Sequence, residues 1–410
     1  MRSLKVLRTR MLAATLLLAL AATACASDTE DTDTAGGGDE DGARTVTVNV
    51  DGELEGGNVA LLGYFPRELT VRQGDTVRFA FQPGDPHTVT FGTLVDDVLG
   101  AMAGGEEGPP PPGAEKIPQV FGDDGQIVAT GAAPCFTQEE PPSDGAPCEG
   151  EQQPFDGSHT IYSSGLLAPG QDFEMALAED VEPGTYQYFC LLHGPGMGGT
   201  VTVVGADEEA PGPEEVEQAA ADELAAVEER AADALAAQPE GTLPGFEEMI
   251  PQGNVLAGGF VEGQDGEPSV DILQFGPREA SVSAGESVTW LFVGPHTVSF
   301  NAPQDATPPV ILGEDGLPAA NPKAFAPQGG APGAPPPPEG GGEEEAPEGP
   351  PPPPTVIDAG EWDGQGFFSS GFLPSFPPNL LAYKITFTRA GTYNYVCLIH
   401  PDMEGTVTVS

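Results

Sequence analysis

Apolar and polar residues alternate in short runs over two separate stretches of the chain. Leu69 and Val71, then Val77, Phe79 and Phe81, fall at every second position around Gln73-Gly74. Val282, then Val288, Trp290 and Phe292, repeat the arrangement around Ala284-Gly285. A period of two buries one face of a pleated strand, and a glycine turn between two such runs reads as strand, turn, strand. Further on, Tyr186, Tyr188 and Cys190 share one strand face, as do Tyr393, Tyr395 and Cys397. Short alternating strands with turn punctuation predict antiparallel sandwiches. One segment departs from this period. Pro213–Ala237 is rich in alanine and glutamate, with Val216, Leu224, Val227, Ala231 and Leu235 at helical spacing. It is predicted as a helix with a thin apolar stripe, suited either to packing on a sandwich or to spacing two of them.

The two stretches are copies of one unit. Pro66-Arg67-Glu68 and the strand pair after it return at Pro277-Arg278-Glu279, and Pro86-His87-Thr88-Val89 returns as Pro295-His296-Thr297-Val298. Ser163-Ser164-Gly165 returns as Ser369-Ser370-Gly371, GTYQYFCLLH as GTYNYVCLIH, and both copies close on GTVTV. Five blocks in one order define an internal repeat. The expected organisation is therefore an all-β chain of two tandem β-sandwich domains, residues 45–204 and 251–410, joined by an acidic linker, 205–250, that contains the helix. Each copy carries a long insert between its early histidine and late cysteine, and the Pro/Gly/Glu-rich insert at Gly329–Pro354 is expected to be mobile.

The N-terminus changes the picture of where the protein works. Arg2, Lys5, Arg8 and Arg10 precede the apolar run Met11–Ala22, which is short for a membrane span, and Ala22-Thr23-Ala24-Cys25 follows. This reads as an export signal over residues 1–24. The last four residues resemble a bacterial lipobox, which implies lipid attachment at Cys25, with plain cleavage or an uncleaved anchor as alternatives. Residues 25–44, acidic and glycine-rich, read as a disordered tether. An oxidising compartment favours a disulfide between Cys135 and Cys148 over free thiols. With 14 basic against 64 acidic residues and a net charge of −50, nucleic acid is excluded as a partner, as is electrostatic adhesion to anionic lipid.

The candidate chemistry lies in scarce residues. The chain has five histidines and five cysteines. Setting aside Cys25, Cys135 and Cys148, only Cys190 and Cys397 remain, at the same point of the repeat. Cys190 is followed by His193 and Met197, Cys397 by His400 and Met403, and each set has an upstream histidine, His87 or His296. One thiolate, two imidazoles and a thioether are the ligands of a type 1 (blue) copper site, whereas methionine is a poor choice for structural zinc. The fifth histidine, His159, has no repeat partner and reads as an exposed loop residue.

On these residues both copies resemble cupredoxins, the plastocyanin, amicyanin and pseudoazurin family. CLIHPDM has the amicyanin-like spacing CxxHxxM, while CLLHGPGM has one more residue before Met197. The resemblance covers about half the chain and implies a Greek-key sandwich and one copper per copy. It also implies a redox partner, extracytoplasmic or membrane-associated, docked on an apolar patch round the loop histidine: Leu191, Leu192 and Pro195, or Leu398, Ile399 and Pro401. Four protein ligands leave no open position for substrate, and the single spare histidine is too few for a catalytic copper cluster. The expectation is an electron carrier and not an enzyme. Copper storage, delivery or resistance is the alternative.

Overall fold

The computed structural model describes residues 43–410 apart from 53, 55–58, 103–110, 123–125, 238–253, 264–266, 315, 334–351, 377–378 and 401. The export signal, Cys25, most of the tether and much of the second insert lie outside these residues. No described helix is long and apolar enough to cross a membrane.

Two β-sandwiches follow one another, with their shared strands in the same order and one extra edge strand in each, Cys135–Thr137 in the first and Thr355–Trp362 in the second. In the first, one sheet runs Tyr64–Phe65, Thr45–Val50, Thr76–Phe81, Asp172–Ala176. The facing sheet runs Glu68–Arg72, Gly194–Val204, Gly184–Cys190, Thr90–Phe91, Ile161–Ser163, Cys135–Thr137. In the second, Ser269–Gly276, Val255–Val261, Ser287–Phe292, Leu381–Phe387 and Thr355–Trp362 form one sheet, and Glu279–Val282, Glu404–Val409, Gly391–Val396, Ser299–Phe300 and Phe368–Ser369 the other. The alternating residues meet between the sheets as expected. Phe79, Phe91 and Tyr188 fill the first core, Trp290, Phe300 and Tyr395 the second. Their rings pack mostly edge to face, with Phe79 and Tyr188 centred 5.4 Å apart and Trp290 and Tyr395 5.3 Å apart.

The Ser-Ser-Gly block of each copy braces the histidine-bearing strand. Ser164 Oγ accepts a hydrogen bond from Val89 N, and Ser370 Oγ accepts one from Val298 N, each at 2.9 Å. Gly165 (φ 68°) and Gly371 (φ 66°) take a left-handed turn, and a Cβ at either would lie under 3 Å from backbone, so only glycine fits.

The first insert is more structured than its composition suggests. Thr93–Met102 forms a helix whose Val95 and Val98 cover Phe189 on the outer face of the cysteine strand, so the end of that strand, Tyr188–Cys190, is buried on both faces. Cys135 and Cys148 are disulfide-bonded.

The expected helix runs Pro213–Ala237 and packs on both sandwiches. Ala220, Val227 and Ala231 lie against Val59, Leu61 and Phe65 of the first and Val270 and Ile272 of the second. Beneath it, strand Val59–Leu62 pairs antiparallel with Ser269–Gly276, with Leu61 opposite Val270 and Ala60 opposite Asp271. The two strands precede the repeated Pro-Arg-Glu block at equivalent points, so the copies meet about a local pseudo-two-fold axis, like the self-complementary face of a homodimer. An edge of each sandwich is thereby closed.

Candidate metal centres

In each sandwich the early histidine sits where one sheet hands over to the other. His87 exchanges backbone hydrogen bonds with Leu167, and His296 lies in Gly294–His296, paired with Leu373–Ser375. Cys190 ends its strand and Cys397 directly follows the end of its own, each in the core, and the loop that follows brings the second histidine back to the cysteine sulfur.

The first centre brings together His87, Cys190 and His193. The two Nδ1 atoms are 3.0 Å apart, and Cys190 Sγ lies 3.8 Å from His87 Nδ1 and 3.5 Å from His193 Nδ1. The second repeats this with His296, Cys397 and His400: Nδ1 to Nδ1 2.9 Å, and Sγ to His400 Nδ1 3.6 Å. Met197 and Met403 are buried in the same core clusters as their cysteines. The loops differ as their lengths require. The first continues from Cys190, paired with Gly194, through a register shift. The tighter second loop closes with Cys397 N donating to Met403 O at 2.9 Å.

Both sulfurs are held by the residue after the early histidine. Thr88 N donates to Cys190 Sγ at 3.4 Å and Thr297 N to Cys397 Sγ at 3.3 Å. The same threonines accept from the residues after the cysteines, Leu191 N and Leu398 N, each at 2.8 Å. The repeated Pro-His-Thr-Val block thus carries a candidate ligand and the clamp on the cysteine sulfur together.

Burial opposes ionisation of both thiols, but the adjacent imidazoles outweigh it and bring Cys190 and Cys397 well below the ordinary thiol range. Thiolate is the form that binds metal. Burial likewise opposes protonation of His87 and His400. The Asp51 carboxylate overrides it for His87, raising it to about 10, and Asp85 with Cys397 does so for His400, raising it to about 9. Soft sulfur with two converging imidazole nitrogens fits copper in either oxidation state.

The environment of the two early histidines is unequal. Asp51 Oδ2 lies 2.7 Å from His87 Nε2, and the buried carboxylate also accepts from Gly52 N, Leu61 N and Asp85 N. His296 Nε2 instead faces Val293 O at 3.1 Å. By strand pairing, Asp51 (φ 65°) corresponds to Gly258 (φ 80°), where any Cβ would strike His296 Nε2. Asp51 was not among the candidates read from the sequence. Extending the repeat upstream of the Pro-Arg-Glu block sets Asp51 opposite Glu262, and only the strand pairing equates it with Gly258.

The loop histidines are unequal too. His193 is half-buried, beside the half-buried Leu191 and Leu192 and the exposed Pro195. His400 is only 4% exposed, with Asp85 of the first sandwich facing its outer edge, and Leu398 is buried with Ala306 and Ala324. Pro401 lies outside the described residues. His159, expected on an exposed loop, is buried. It packs edge-on to Tyr162 at 5.1 Å, with Nδ1 3.2 Å from Asp156 Oδ1. Its place is in the first sandwich and not in either metal centre.

Residues 50–204 match the family of copper binding proteins, plastocyanin/azurin family. Among solved structures, auracyanin from Roseiflexus castenholzii is 20% identical, with 40% of this chain and 99% of that chain covered and a TM-score of 0.22. Amicyanin from Paracoccus versutus is 16% identical, covering 39% and 81%, with a TM-score of 0.20. No curated protein matches the chain.

Proposed function

We propose that this is an exported electron carrier that holds one type 1 copper in each sandwich. The observation that carries the reading is the twofold convergence of Cys Sγ and two His Nδ1 atoms, each set with a buried methionine in the same core cluster. Copper held by these ligands would supply a one-electron Cu(II)/Cu(I) couple. The protein's part is to keep the thiolate hydrogen-bonded, the imidazoles oriented and water out, so that little reorganises when charge changes. Buried ligands favour this over delivery, which needs ligands that a receiving site can reach.

The loop histidines point to where a partner docks. His193 and its flanking Leu191, Leu192 and Pro195 offer an apolar patch on a strongly acidic chain. His400 faces the first sandwich instead. The partner is therefore expected to meet the first centre, and Leu192→Lys to slow electron exchange while Ile399→Lys does not. The leader and Cys25 support export and lipid anchorage, and the Cys135–Cys148 disulfide agrees with an oxidising compartment.

The test is to load the full chain carrying Cys25→Ser with Cu(II), then count copper and record the visible and EPR spectra. Two coppers per chain with intense thiolate-to-copper absorption are expected. Cys190→Ser and Cys397→Ser should each remove one. Absence of tight copper and of that absorption would overturn the reading.

A further inference from the structure

The interface between the sandwiches sets two carboxylates that neither metal centre uses beside the outer edge of His400. His400 directs Nδ1 toward His296 and Cys397, which leaves Nε2 on the side of the first sandwich. Asp85, next to Pro86-His87, lies across from it, and Asp271 enters from the strand that pairs with Val59–Leu62. All three residues are buried, and one donor atom from each lies within 4.8 Å of the other two.

Two observations set this cluster apart from ordinary hydrogen bonding. Asp85 Oδ1 is 3.8 Å from His400 Nε2, too long for a hydrogen bond. Two ligands about 2.1 Å from one ion can lie about that far apart. Asp271 Oδ1, in addition, is buried with no hydrogen-bond partner. No lysine or arginine among the described residues pairs with either carboxylate, and a buried carboxylate without a partner is costly.

The pseudo-symmetry of the interface sharpens the point. The repeat aligns Asp85 with Gly294, and the strand pairing aligns Asp271 with Ala60. Both acids therefore belong to one side of the axis only, and they meet at His400 and not at His193.

We propose that Asp85, Asp271 and His400 Nε2 form a site for a third metal ion, a divalent cation of zinc type, which His400 shares with the second copper centre. Two carboxylate oxygens and one imidazole nitrogen supply three ligands, and a water completes a tetrahedral set. Binding releases the Nε2 proton of His400 to solvent. The ion ties the two sandwiches together and places positive charge against the second centre's histidine. The proposal rests on the copper reading only for what occupies the Nδ1 side of His400.

The test uses the full chain carrying Cys25→Ser, loaded with copper, equilibrated with micromolar Zn(II) and then desalted for metal analysis. One zinc per chain should remain beyond the copper. Asp271→Asn and Asp85→Asn should each weaken zinc retention at least tenfold while leaving both thiolate-to-copper absorptions in place, which also reports that the variants are folded. Zinc lost from the native chain on desalting, or held equally well by both variants, overturns the proposal. If the chain took up no copper, the copper reading would fall. The zinc count on the metal-free chain, with and without Asp271→Asn, would still decide this one.

Discussion

Replacing Asp51 by asparagine isolates one charge at the first centre. Its carboxylate sits 2.7 Å from His87 Nε2, on the far side of the ring from Nδ1, the nitrogen that meets His193 and Cys190. A metal about 2 Å beyond Nδ1 lies roughly 6–7 Å from that charge, and two unit charges at this distance interact by about 2.5 kcal/mol at an effective dielectric of ~20. The carboxylate favours the more positive Cu(II) state. A one-electron couple shifts by ~59 mV for each ~1.4 kcal/mol, so Asp51→Asn is expected to raise the first centre's potential by roughly 100 mV. The measurement is a spectroelectrochemical titration in a Cys397→Ser background, where only the first centre absorbs. Asparagine is nearly isosteric, but four N–H groups converge on Asp51. The loss of one good acceptor should cost about 1–3 kcal/mol of stability, read from melting of the same sample. An unchanged or lowered potential, with the absorption band intact, would refute the assignment of Asp51 as the charge that tunes this site.

Other expectations follow from single contacts. Replacing Cys135 and Cys148 by serine opens a loop spanning 13 residues and should cost about 3 kcal/mol by chain entropy, seen as a lower denaturation midpoint. Leu61→Ala, under the helix and opposite Val270, should cost ~2–5 kcal/mol. Because that residue belongs to the interface, both sandwiches should lose stability, and a second sandwich that melts unchanged would count against the shared sheet. Burial works to raise Asp75, yet its bonds from Arg44 and Arg72 hold it below the ordinary carboxylate value of 3.8. Its stabilising contribution is thus full above that value and lost as pH falls through the lowered native one. Asp75→Asn should flatten the acid limb of a stability-against-pH curve and leave the curve's shape at neutral pH alone.

Much of the architecture was legible along the chain because it depends on local periods. Alternation at Val77, Phe79 and Phe81 marks a strand whichever sheet it joins, and the helix matched its sequence limits, Pro213–Ala237, because composition and spacing agree there. The Cys-His-Met segments stood out for a similar reason, since three candidate ligands fall within eight residues and recur. The upstream histidines were found only because the repeat paired them.

What the sequence determined by itself was the set of strands, the helix and the residue types that converge in each half. Tertiary structure alone decided what surrounds them. His159 looked exposed from its polar neighbours, but burial is set by Tyr162 and the sheet it packs on, not by adjacent residues. The helix stripe was too thin to choose between spacing and packing, and small alanines proved to be what lets it lie close over both sandwiches. Asp51 meets His87 across 36 residues and Asp85 meets His400 across more than 300, contacts with no period and no fixed spacing. The two copies look alike in sequence, but folding them face to face leaves one loop histidine half-buried and turns the other inward, because a pseudo-two-fold interface brings unlike side chains to equivalent places.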